Sequence, residues 1–244
     1  MNYGKPPVHK INIEPMRNFH LEASIWYLFT STAFFETAAR ECEGIVDWQI
    51  SLATSRPGPK FSPDNELVDT FRKRAREFRR GAELARFDDY RFVWDIAGWI
   101  RSDIRGMIEQ APNGWLDLAQ YQEFSGGRFE RLGACARLIE RALNNAMVAA
   151  ESFFHPNPDC PERSNDDDGY PGDSIVRWYN DLLAYYKEPL FPKLLDSPPE
   201  YVINTSVACA TGDEVPWTGV WYPSTGLEKH SLTFAIKGTR MQPA

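Results

Sequence analysis

The chain has 244 residues, a formal net charge of −7, and 43% hydrophobic residues that include 8 Trp and 15 Phe. That is enough apolar surface for a full core and excludes a chain disordered throughout. The acidic balance argues against nucleic acid, whose phosphates call for clustered, uncompensated Lys and Arg, and it suits a basic protein partner through long-range attraction.

The opening residues MNYGKPPVHKINIEP hold no apolar run of the kind a signal sequence needs. No stretch is apolar over the length that spans a bilayer. A cytoplasmic protein without membrane association is therefore expected. From about His20 to Thr54, residues Leu21, Ile25, Leu28, Thr32, Phe35, Ala39, Cys42, Val46, Gln49 and Ala53 recur at spacings of three and four. This is one continuous stripe on a single α-helix. Trp26, Tyr27, Phe29 and Phe34 lie off the stripe, so the first half is apolar on several sides and belongs among covering neighbours. Ser55-Arg-Pro-Gly-Pro ends the pattern.

A second helix carries Leu67, Phe71, Ala75, Phe78, Ala82 and Ala85 on its inner side. Arg72, Lys73, Arg74, Arg76, Arg79 and Arg80 lie on the outer side. Asp64, Glu66, Asp69, Glu77 and Glu83 surround these cations, which makes a salt-bridged outer face rather than a nucleic-acid surface. Asp88-Asp89 suits the N-terminus of a third helix, striped by Tyr90, Val93, Ala97, Ile100, Ile104 and Met107. A fourth helical region runs from about Trp115 to Phe154, with Leu132, Cys135, Ile139, Ala142, Ala146, Ala149 and Phe153 as its later stripe. Ser125-Gly-Gly127 interrupts it, as a break or kink or to let another backbone approach closely.

His155 to Gly172 is a long acidic, proline-rich loop. Asp173-Ser174 then caps a fifth helix with Ile175, Trp178, Leu182 and Tyr186 inward. After Pro189 the pattern turns to short β-type runs at Tyr201–Val207, Gly219–Tyr222 and Ser231–Lys237, punctuated by Pro216, Pro223, Gly226 and Gly238. The predicted fold is mainly α: an antiparallel bundle of four to five long helices over residues 1–190. A small strand-and-turn appendage, 191–244, packs on it to give one compact unit.

Catalytic and metal motifs are absent from the sequence. A di-iron bundle needs Glu-x-x-His pairs facing one cavity, and no Glu is followed by His at that spacing. His9, His20, His155 and His230 are scattered. Cys42, Cys135, Cys160 and Cys209 form no CxxC pair. There is no Gly-x-Ser-x-Gly elbow and no phosphate loop. The run Asn165-Asp-Asp-Asp-Gly-Tyr-Pro-Gly-Asp173 has the composition of a calcium loop, but its aspartates are consecutive and no closing Glu follows. No metal and no cofactor are expected. Asp166, Asp167, Asp168 and Asp173 read instead as a solvated acidic loop or as a partner-binding one.

The most specific pattern is Gly212-Asp-Glu-Val-Pro-Trp-Thr-Gly-Val-Trp-Tyr-Pro223, followed by Ala235-Ile-Lys-Gly-Thr-Arg-Met-Gln-Pro243. It resembles a short C-terminal module of proteins from bacterial toxin–immunity loci, matched here by Gly212, Pro216, Thr218, Gly219, Trp221, Gly238 and Pro243. With the helical N-terminal part, the chain is similar to the immunity proteins numbered 71 and 72 of polymorphic-toxin systems, which are associated with type VI secretion and Rhs-type toxins. The resemblance implies tight non-covalent neutralisation of a cognate toxin domain encoded next to the chain. The motif covers only the last thirty or so residues. Physically, Pro216 fixes φ, Gly219 permits close backbone approach and Trp221 supplies a large apolar anchor, so the module reads as a clasp. Trp217 and Tyr222 are its candidates for presentation to a partner. Two other classes of function stay open. One is an enzyme that reverses a toxin's covalent product, built on a polar cleft around Asp95, Asp103 or Glu140. The other is an adaptor or chaperone for secreted effectors.

Overall fold

The periodic stretches become helices in a computed structural model that describes residues 18–55, 66–109, 116–152, 175–176, 179–180, 199–224 and 232–242. In chain order these are α1 (Phe19–Phe29), α2 (Thr32–Ser55), α3 (Glu66–Ala85), α4 (Arg91–Glu109), α5 (Leu118–Glu123) and α6 (Phe129–Ser152). Two three-residue strands follow, β1 (Gly219–Trp221) and β2 (Thr233–Ala235). The protein is thus mainly helical with a small antiparallel β appendage.

The single helix expected over His20–Thr54 is two helices. Asn18 caps α1, its side-chain oxygen accepting from the N–H groups of His20 (3.1 Å) and Leu21 (3.2 Å). At the far end the Thr30 hydroxyl donates to the Trp26 carbonyl at 2.9 Å and the Ser31 hydroxyl to the Leu28 carbonyl at 2.7 Å. The Ser31 oxygen also accepts from the Phe34 N–H at 3.1 Å, capping α2. Hydroxyls bonding locally in this way compete with the helical ladder. The apolar spacing runs on unbroken across the two residues, so the pattern conceals the break.

Helices α2, α3, α4 and α6 form a closed ring, each packing on the next and α6 returning to α2. Every neighbouring pair is antiparallel, because pairing positions rise on one helix as they fall on the other. Arg79 late in α3 reaches Glu36 early in α2. Gly81 and Arg74 of α3 meet Val93 and Asp103 of α4. Trp94 of α4 donates to Asn144 of α6, while Ile104 lies against Gly133. Phe35, Cys42, Phe71, Phe78, Ile96, Ile100, Leu132 and Ile139 fill the interior with no exposed surface. Ile175 and Tyr179 join the same core. Trp178, Leu182 and Tyr186 of the expected fifth helix lie outside the described residues.

The Gly126-Gly127 pair is a kink. A π-helical turn spans Phe124–Arg128, and Gly127 leaves helical geometry there (φ −108°, ψ −115°). A Cβ on Gly127 would come within 2.9 Å of the Glu123 carboxyl. The turn places Phe124 and Phe129 with ring centroids 4.6 Å apart, and Phe129 in turn contacts Trp48 and Phe71.

Within α3, Arg72 meets Asp69 and Lys73 meets Glu77 as the sequence suggests, whereas Arg79 and Arg74 draw partners from neighbouring helices. Arg79 is clamped by Glu36 (3.0 Å) and Glu43 (2.6 Å), and Arg74 by Glu77 (2.9 Å) and Asp103 (2.8 Å). Burial is deeper at Glu41–Arg131, a 3.1 Å pair between α2 and α6 whose side chains are only 7% and 17% exposed. Among the described residues, no helix is long and apolar enough to cross a membrane.

Two outcomes follow from this packing. A Cβ at Gly81 would sit 2.9 Å from the Val93 Cβ, whereas one at Gly98 would meet nothing within 4 Å. Gly98→Ala is expected to stabilise the protein by up to about 1 kcal/mol through helix propensity. Gly81→Ala is expected to destabilise it, because overpacking of about 1–3 kcal/mol exceeds that gain. Urea denaturation of the two variants reads the opposite signs. At the buried pair, Arg131→Met should cost about 3–5 kcal/mol by stranding the Glu41 carboxylate. Arg131→Met combined with Glu41→Leu should recover most of that loss, and a double variant as unstable as the single one would contradict the pairing.

Candidate functional site

The C-terminal tail is built by alternation. In β1–β2 the partners are Gly219 with Ala235, Val220 with Phe234 and Trp221 with Thr233. Successive strand residues face opposite ways, so Val220 and Phe234 pack into the bundle core. Trp221 faces the other side, where Val215, Ala235 and Met241 make a small second cluster that Trp221 and Cys209 flank. The large anchor expected at Trp221 is therefore partly buried and steadies the tail itself. The bundle is gripped one residue away, by Phe234, whose ring lies 5.5 Å from Tyr90 in an edge-on contact. Burial, with the neighbouring Asp88 carboxylate, pushes the Tyr90 phenol above its ordinary pKa.

A second ladder closes the module. Val215 N–H donates to the Thr239 carbonyl (2.8 Å), Met241 N–H to Asp213 (2.9 Å), Gly212 N–H to Met241 (2.9 Å) and Gly238 N–H to Val215 (2.9 Å). Gly212 and Gly238 have φ of +89° and +82°, conformations that side chains disfavour. Thr218 Oγ1 accepts from the Lys237 N–H at 2.8 Å. A Cβ on Gly219 would lie 3.3 Å from the Tyr27 hydroxyl, which itself accepts from the Val220 N–H at 3.4 Å. The patterned residues Gly212, Thr218, Gly219 and Gly238 thus fold the clasp and seat it against α1.

Between α1 and the tail lies an open groove of about 310 Å³, with Phe19 and Tyr27 on one wall, Tyr201 to Asn204 on another, and Trp217, Trp221 and Tyr222 on a third. Its aromatic walls are fixed in place. Tyr201 stacks on Tyr27 with centroids 5.5 Å apart, and Phe19 meets Tyr222 edge-on at 6.1 Å. The Tyr201 backbone N–H donates to His20 Nδ1 at 2.9 Å, and Ser24 Oγ lies 3.3 Å from the Tyr201 hydroxyl. The surface remains apolar and open: Trp217 is 70% exposed and Val202 91%. Exposed, clustered aromatics of this kind mark contact sites on protein surfaces.

The structure brings the predicted Trp217 and Tyr222 together on this groove. Tyr27, Tyr201, Val202 and Ile203 were not named as site residues from the sequence, although Tyr27 stood out as an aromatic off its helix stripe. Asp166, Asp167, Asp168 and Asp173 lie outside the described residues. Of the carboxylates considered for catalysis, Asp103 is bound by Arg74 at 2.8 Å and Glu140 by Arg101 at 2.7 Å. Among the described residues, no group of three or more His, Cys, Asp or Glu is placed to hold a metal ion. Cys42 and Cys135 are wholly buried, and desolvation pushes both thiols up, so they act as packing groups.

This division of labour is testable by truncation. Phe234→Ala is expected to cost about 3–5 kcal/mol, as for other buried Phe truncations. Trp217→Ala should change stability by no more than about 0.5 kcal/mol, as for an exposed surface site. Denaturation midpoints that rank the two the other way would contradict the assignment of anchor and groove.

Comparison with known protein families, curated proteins and solved structures finds no match to this chain, so the groove's own chemistry must indicate its use.

Proposed function

We propose that the chain is an immunity protein of a polymorphic-toxin system. In this reading it binds the toxic domain of a cognate secreted toxin, encoded beside it, inside the cytoplasm of its own cell and blocks it. The observation that carries the reading is the exposed aromatic groove, held by the clasp whose glycine and Pro-x-Thr-Gly-x-Trp pattern resembles that of immunity proteins. Binding energy at protein interfaces concentrates in a few buried aromatics and arginines. Trp217 and Tyr222 offer such anchors, and at Tyr222, whose ring Phe19 already braces, little ordering is left to do. Asp166, Asp167, Asp168 and Asp173 would add to encounter with a basic toxin surface. The enzyme reading has less support, because Asp103 and Glu140 are each engaged by an arginine.

Co-expression with the adjacent toxin gene tests the proposal. The expected result is survival, a co-purifying complex and loss of both on Trp217→Ala combined with Tyr222→Ala, with the variant still folded. Death despite abundant folded protein would refute neutralisation. Survival without any complex would favour an enzyme that reverses the toxin's product, and a complex in which the toxin keeps its activity would favour an adaptor.

A further inference from the structure

The charge around the groove indicates the chemistry of its occupant. The described segments that build its walls, residues 18–31 and 199–224, contain Glu22, Glu200, Asp213 and Glu214 and no Lys or Arg. Glu22 is buried within α1, while Glu200, Asp213 and Glu214 are exposed. Glu200 directly precedes Tyr201, and Asp213 and Glu214 lead into the turn that carries Trp217. The cations of the paired segment are Lys237 and Arg240, and Arg240 donates to the Gly212 carbonyl at 2.8 Å. The groove is thus lined by Tyr and Trp rings, on segments that carry exposed carboxylates and no cation.

Ring faces carry negative charge and attract a guanidinium or ammonium. The same chain uses this contact internally, with Arg74 at 5.0 Å over Trp99 and Arg80 at 5.2 Å over Phe92. We infer that the groove seats an Arg or Lys side chain from a basic segment of the partner, among the rings of Tyr27, Tyr201 and Trp217. Apolar residues flanking that cation in the partner lie against Val202 and Ile203. This deepens the immunity reading and rests on it only in taking the partner to be the toxin. The exposed carboxylates of these segments steer the approach of a cation, whereas they repel an acidic peptide or a nucleic-acid phosphate and do nothing for a neutral one.

The test is calorimetric titration of the intact protein with three short peptides of one design. One alternates Arg with Leu, the second replaces Arg by citrulline, which keeps the shape and removes the charge, and the third replaces Arg by Glu. The Arg peptide is expected to bind at least about tenfold tighter than the citrulline peptide, and the Glu peptide not to bind. Trp217→Ala, checked for its fold by circular dichroism, should weaken the Arg peptide to the citrulline level. Glu200→Gln combined with Glu214→Gln should flatten the salt dependence of binding. Equal affinity for the Arg and citrulline peptides, absence of Arg-peptide binding, or binding indifferent to Trp217→Ala would each overturn the inference. A toxin neutralised without any cation preference sinks this inference alone, and a cation-selective groove in unprotected cells sinks the immunity reading alone.

Discussion

Ser31 donates its hydroxyl proton to the last turn of α1 and accepts from the first turn of α2. The rest of the molecule's layout depends on that exchange. Were the helical ladder to continue through Thr30 and Ser31, α1 would simply lengthen α2. Instead the chain ends one helix and starts another, and α1 packs on α2, α6 and β1 at once. Ile25, Trp26 and Phe29 of α1 are buried in the core, while Phe19 and Tyr27 become a wall of the groove. A pair of side-chain hydrogen bonds, each worth about 1 kcal/mol net, thereby decides which aromatics are interior and which line the groove.

The tail and the bundle are joined through rings. Phe35 in α2 meets Tyr90 at the start of α4, and Tyr90 meets Phe234 in β2. Edge-on aromatic pairs add about 0.5–1.5 kcal/mol each beyond the area they bury. Their larger effect here is geometric, since three segments distant in sequence share one contact line. The groove is held by a separate set of contacts: the Tyr27 hydroxyl accepts from the Val220 N–H and its ring stacks on Tyr201, which also seats the tail on α1.

How much of this could be read from residues alone varied with the range of the interactions. The faces of α3 and α4 were legible, because burial there repeats every three or four residues and Phe71, Phe78, Val93 and Ile100 obey that period. The break at Thr30–Ser31 was not, because the apolar spacing carries straight across it and hydroxyl bonding leaves no periodic trace. Trp221 misled through size: the larger side chain suggested the anchor, but strand alternation hands the bundle-facing position to Val220 and Phe234. The glycines of the clasp were legible because a positive φ at Gly212 and Gly238 demands them. Trp217 and Tyr222 were nameable from the motif. Tyr27 and Tyr201 were not, because their pairing joins segments far apart in sequence and no local pattern encodes it.

The groove also has a place in time. The ring pairs α2 with α3 and α3 with α4 in succession, passes over α5 to pair α4 with α6, and closes α6 on α2, and helical folds of this kind form fast. The groove needs α1, the Tyr201 segment and both strands together, so its walls come from the first described helix and from segments that follow the bundle in the chain. Domains fold as synthesis proceeds, and the bundle can therefore collapse while the groove is still missing two of its three sides. The groove is complete only once β2 has been made, so a molecule cut ahead of Tyr201 would carry one wall of it, on α1, and no groove.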